Sequence, residues 1–63
     1  MQSNQTRVKL FNNGAFAVLE KTGALWLTYA RNPSGQIIDK MRCDTYTMAL
    51  EYFRAFQAVA KNS

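Results

Sequence analysis

The sequence predicts an α+β domain: a three- or four-stranded antiparallel β-meander packed against one C-terminal α-helix. Three observations predict it. Up to Cys43 the chain runs in short segments rich in β-branched and aromatic residues, separated by Asn, Gly and Pro. After Cys43 the apolar spacing changes from that of a strand to that of a helix. The chain has 63 residues, of which 48% are hydrophobic and 13% aromatic, enough for one small core to which nearly every element contributes.

Residues 1–6 hold one apolar residue, Met1, and no periodicity, so they are expected to form a flexible lead-in to a single domain over residues 7–61, with 62–63 as a tail. Arg7 to Leu10 alternates basic with aliphatic and predicts a short first strand. Asn12-Asn13-Gly14 then supplies a turn. Ala15–Lys21 and Ala24–Arg31 predict two adjacent strands joined at Thr22-Gly23. Asn32-Pro33-Ser34-Gly35 predicts a reversal: proline presets φ at the second turn position and glycine accepts a positive φ later in the turn. Alternation over Gln36–Cys43 sends Ile38, Lys40 and Arg42 to one face and Ile37, Asp39, Met41 and Cys43 to the other.

Asp44, Thr45 and Thr47 each offer a side-chain oxygen for a helix start. Ala49, Tyr52, Phe53, Phe56, Val59 and Ala60 then form one helical stripe over about residues 46–61, and Lys61 complements the negative pole of that helix. The stripe is expected to lie on the sheet face carrying Leu25, Leu27 and Tyr29.

Composition argues against an enzyme. The chain has no histidine, the commonest general base, and its carboxylates, Glu20, Asp39, Asp44 and Glu51, form no recognisable pair. Cys43 is the sole cysteine, so neither an intramolecular disulfide nor a cysteine-based zinc site is available; no catalytic residue, metal or cofactor is expected. Cys43 itself reads either as a reactive thiol at a helix start or as a buried small hydrophobe. No apolar run is long enough to span a bilayer and Met1 to Arg7 does not read as a signal peptide, so a soluble, cytoplasmic protein that does not engage membranes is expected.

Eight Lys and Arg against four Asp and Glu give a formal charge of +4. Arg7, Lys9, Lys21, Arg31, Lys40 and Arg42 all fall in the sheet half, and only Arg54 and Lys61 in the helix. If the helix covers one sheet face, Lys40, Arg42, Trp26 and Thr28 are expected on the other, where cations beside an aromatic suit phosphates and bases. The competing reading is that these cations only keep an open sheet face soluble and that Trp26 belongs to the core. The tyrosines and phenylalanines read as core at this spacing, and Met41 and Met48 as gap-fillers.

Trp26 on a strand, Arg31-Asn32-Pro33-Ser34-Gly35 at a hairpin, a following strand ending in Asp44-Thr45, and a helix with Ala49 and Phe53 together resemble the DNA-binding domains of ethylene-response-factor type and their relatives, the arm-binding domains of phage and transposon integrases. The resemblance covers about residues 26–61. It implies a three-stranded sheet whose uncovered face enters the major groove, with Trp26, Arg31, Lys40 and Arg42 as contacts and Thr28 next to them. Two features depart from the pattern: Ala15–Leu19 carries no positive charge, and Asp39 stands where an aromatic is typical.

The expected function is therefore that of a small non-enzymatic DNA-binding accessory protein of bacterial or phage type, gripping duplex DNA by the basic open sheet face. The alternative is a protein-interaction module, a homodimer or an inhibitor of a host protein, using that face or the edge strand Arg7 to Leu10. A further alternative is single-stranded nucleic-acid binding with Trp26 and Tyr29 stacking on bases.

Overall fold

The computed structural model describes residues 6–63. Four strands, β1 (Thr6–Leu10), β2 (Phe16–Thr22), β3 (Leu25–Arg31) and β4 (Ile37–Cys43), precede one helix, α1 (Tyr46–Lys61). The strands form a single antiparallel sheet in the order β1-β2-β3-β4, the meander that short connections impose, and the helix packs on one face of it. Strand limits differ from the expected ones by a residue at most, and Thr6, assigned from sequence to the lead-in, belongs to β1; the rest of that lead-in lies outside the described residues.

The turns account for the meander. Phe11 O accepts from Gly14 N and Phe11 N donates to Ala15 O, each at 3.0 Å, which closes the β1–β2 connection with Gly14 at φ 93°. At the β3–β4 hairpin Asn32 O accepts from Gly35 N, while Asn32 Oδ1 accepts from the amides of Ser34 and Gln36 at 3.0 and 2.9 Å. Gly35 sits at φ 90°, a conformation that L side chains rarely adopt. Of the three oxygens offered at the helix start, that of Thr45 is used: it accepts from Met48 N at 3.2 Å.

The core lies between the helix and one sheet face. Ala15, Ala17, Leu19, Trp26, Ala30 and Cys43 cluster with Ala49, Phe53, Phe56 and Ala60 of the helix. Ala15, Ala17 and Ala30 leave room for the rings of Phe53 and Phe56, and burying each ring contributes roughly 1.5–3 kcal/mol. Tyr52 packs against this cluster from its margin, and Val59, 37% exposed, is the one member of the predicted stripe left largely outside it.

The helix therefore covers the face opposite to the expected one. Trp26, Thr28 and Ala30 are buried, at 8%, 0% and 0% exposure, whereas Leu25, Leu27 and Tyr29 are half-buried on the other side. Leu25–Arg31 is apolar at both parities except for Thr28 and Arg31, so alternation alone did not distinguish its faces. Thr28 tolerates the core because its hydroxyl donates to Val18 O at 2.8 Å, which leaves no buried polar group unpaired there.

A bulge in β4 explains the rest of the reversal. Arg31 pairs with Ile37 but Ala30 pairs with Asp39, so Ile38 is an extra residue on β4. Without it the hairpin would set Lys40 opposite Thr28 and Arg42 opposite Trp26. With it Lys40 lies opposite Tyr29 and Arg42 opposite Leu27. One inserted residue thus moves the β4 cations to the other side relative to β3, and Ile37, opposite Arg31, shares their face.

The chain end is tied down as well. Asn62 N and Ser63 N bond back to the helix, and Asn13, in the β1–β2 turn, donates through Nδ2 to Ala60 O and Ser63 O, both at 3.2 Å, while its Oδ1 accepts from Ala15 N at 2.9 Å. A turn residue thereby caps the carbonyls at the far end of the helix. No helix among the described residues is long and apolar enough to cross a membrane.

Candidate nucleic-acid interface

The pairing register lays the open face out as three rows across the strands. Thr6, Glu20, Leu27 and Arg42 form one; Val8, Val18, Tyr29 and Lys40 the next; Leu10, Phe16, Arg31 and Ile37 the third. The face is divided by chemistry. Its β1–β2 half is mainly aliphatic and aromatic, and its β3–β4 half carries three cations around Tyr29. Among the described sheet residues Glu20, on β2, is the only carboxylate on this face, because Asp39 points to the helix side.

Arg31 is positioned by its own hairpin. Its guanidinium donates to Gly35 O and lies 5.3 Å from the centroid of the Tyr29 ring, an arrangement that orients the group while leaving most of its five donors for other partners. Lys40 and Arg42 are exposed and alternate along β4, so both project from the same side. Beside them Thr22, Leu25, Leu27, Lys40, Met41 and Arg42 line a shallow groove of about 530 Å³. Cations at a groove margin above an apolar floor can take the phosphates of an anionic polymer while sugar or base edges lie against the floor.

Of the five residues singled out in the sequence as nucleic-acid contacts, the structure brings Arg31, Lys40 and Arg42 together and removes Trp26 and Thr28. Trp26 packs edge-on to Tyr46, with ring centroids 4.9 Å apart, and Lys21 Nζ lies 5.1 Å over its ring. Its indole belongs to the seam between sheet and helix. Thr28 is fully buried. Their places beside Lys40 and Arg42 are taken by Tyr29 and Leu27, a substitution set by the bulge and invisible to a simple count of alternating residues.

Cys43 resolves in favour of the core. It is 2% exposed, and burial first, then the neighbouring Asp44 carboxylate, push its thiol pKa up, opposite to what a reactive thiolate needs. Among the described residues no group of three or more His, Cys, Asp or Glu side chains is placed to hold a metal ion. Comparison with protein families, with curated proteins and with solved structures finds no match to this chain.

Proposed function

We propose that this protein is a non-enzymatic nucleic-acid-binding accessory domain that grips duplex DNA with the β3–β4 half of its open sheet face. One observation carries the reading: Arg31, Lys40 and Arg42 converge around Tyr29 on a half-face with no carboxylate. A formal charge of +4 supports it by favouring encounter with a polyanion. Lys40 and Arg42 contact phosphates, Arg31 anchors the hairpin end against the backbone, and Leu27 and Tyr29 give the apolar floor. With Trp26 in the core, only Tyr29 of the two expected stacking residues stays on the open face, which favours a duplex gripped by its backbone over a stacked single strand.

The test is the salt dependence of binding to a mixed-sequence duplex, measured by fluorescence anisotropy. Each neutralised phosphate contributes about 0.9 to the slope of log affinity against log salt, so Lys40→Ala with Arg42→Ala flattens that slope by about two. An unchanged slope removes both residues from the interface and sinks the reading.

A further inference from the structure

β1 is a strand with little to hold it. It is the outer strand of the sheet, paired with β2 alone, and every one of its residues is exposed. The helix packs mainly on β2, β3 and β4. Val8 and Leu10, 54% and 70% exposed, extend the open-face rows past Val18 and Phe16, while Arg7 and Lys9 extend the helix-side rows past Leu19 and Ala17. The strand thus has an aliphatic face and a cationic face, neither of them covered, beside an outer edge that faces no other strand among the described residues. Such an edge is a template for another strand.

The charges state which strand it accepts. Among the antiparallel registers of a second copy of β1 that overlap three residues or more, three set a cation of one chain opposite a cation of the other: Arg7 against Lys9, Arg7 against Arg7, or Lys9 against Lys9. The remaining registers set Val8 or Leu10 against a cation. Like charges directly opposite one another destabilise a strand pair, so self-pairing is disfavoured. A strand whose carboxylates alternate with aliphatic residues meets the opposite situation. Its carboxylates fall across from Arg7 and Lys9, its aliphatics continue the rows of Val8 and Leu10, and its backbone completes the outer edge.

We propose that the outer edge of β1 is a docking site for an extended segment of another polypeptide in which acidic and aliphatic side chains alternate. The site is independent of nucleic-acid binding, since Lys40 and Arg42 lie on the opposite margin of the sheet. Both partners could be held at once, the sheet serving as the bridge between them.

The experiment uses the full, isotope-labelled chain and two blocked synthetic peptides, one alternating glutamate with valine and one alternating lysine with valine. The glutamate peptide is expected to shift the amides of Thr6 to Leu10 and to slow the exchange of those that point to the outer edge; the lysine peptide is expected to do neither. Charge reversal by Arg7→Glu with Lys9→Glu should exchange the two preferences. The milder pair Arg7→Gln with Lys9→Gln should weaken the glutamate peptide about two- to thirtyfold, the range for two cross-strand charge pairs, and serves if the reversed chain fails to fold. Equal response to both peptides, shifts confined to β3 and β4, or no response of β1 at millimolar peptide would each overturn the proposal.

Discussion

Replacing Trp26 with alanine separates a core tryptophan from a surface contact. The side chain is 8% exposed and packs edge-on against Tyr46, so its truncation removes most of a large buried surface and leaves a cavity between sheet and helix. Such a change costs about 3–5 kcal/mol. At roughly 0.05–0.15 kcal/mol per residue, a chain of 63 residues has only about 3–9 kcal/mol in total. Trp26→Ala should therefore lower Tm by more than about 12 °C, at 4–8 °C per kcal/mol for a domain this small, or leave the chain unfolded at room temperature. Circular dichroism melts measure the loss. Because Trp26 is the only tryptophan, the unmodified protein supplies a second readout: its emission should be blue-shifted and poorly quenched by iodide until urea unfolds it. A variant that melts within a few degrees of the parent, with strong iodide quenching of the folded parent, would refute the assignment of Trp26 to the helix side and with it the face on which the cations lie.

Thr28→Val keeps the shape of a buried residue and deletes the bond to Val18 O; a loss of about 1 kcal/mol is expected in urea unfolding, with duplex affinity unchanged. Asn13→Ala releases the carbonyls of Ala60 and Ser63, so amide exchange over residues 58–63 should accelerate while the central strands stay protected. The raised pKa of Cys43 has a definite sign: the folded state retains the thiol proton longer than the unfolded state. Its contribution to stability is whole below the ordinary thiol pKa of about 8.5 and declines as pH rises from there through the folded pKa, which a series of urea melts at increasing pH would register; alkylation by a thiol reagent should accelerate sharply on unfolding.

Local chemistry made the elements legible. Asn32-Pro33-Ser34-Gly35 announces its hairpin through residues that each solve part of the turn, and the helical stripe from Ala49 to Ala60 has no competing reading as a strand. The faces were harder, for two physical reasons. Leu25 to Ala30 carries apolar residues at both parities, so the side the helix takes is decided by packing, in the cluster that joins Ala17 and Ala30 with Phe53 and Phe56. The bulge at Ile38 then shifts every later residue of β4 by one, and the partners of Lys40 and Arg42 change from Thr28 and Trp26 to Tyr29 and Leu27. Arg31, Lys40 and Arg42 were legible as solvent-facing cations because charge on a strand must find solvent wherever the register falls. The role of Asn13 was not legible, since its bond to the chain end joins residues that are adjacent only after the sheet and helix have packed.

An NMR titration of the labelled chain with a short duplex, at low and at moderate salt, tests the cations of the β3–β4 half-face most directly. The predicted result is a set of salt-sensitive shifts at Leu27, Tyr29 and Arg31 and at Lys40 and Arg42, with the side-chain signals of Arg31 and Arg42 moving and the Trp26 indole N–H unmoved. Shifts centred on the exposed side of the helix around Arg54, or none at all at low salt, would contradict it.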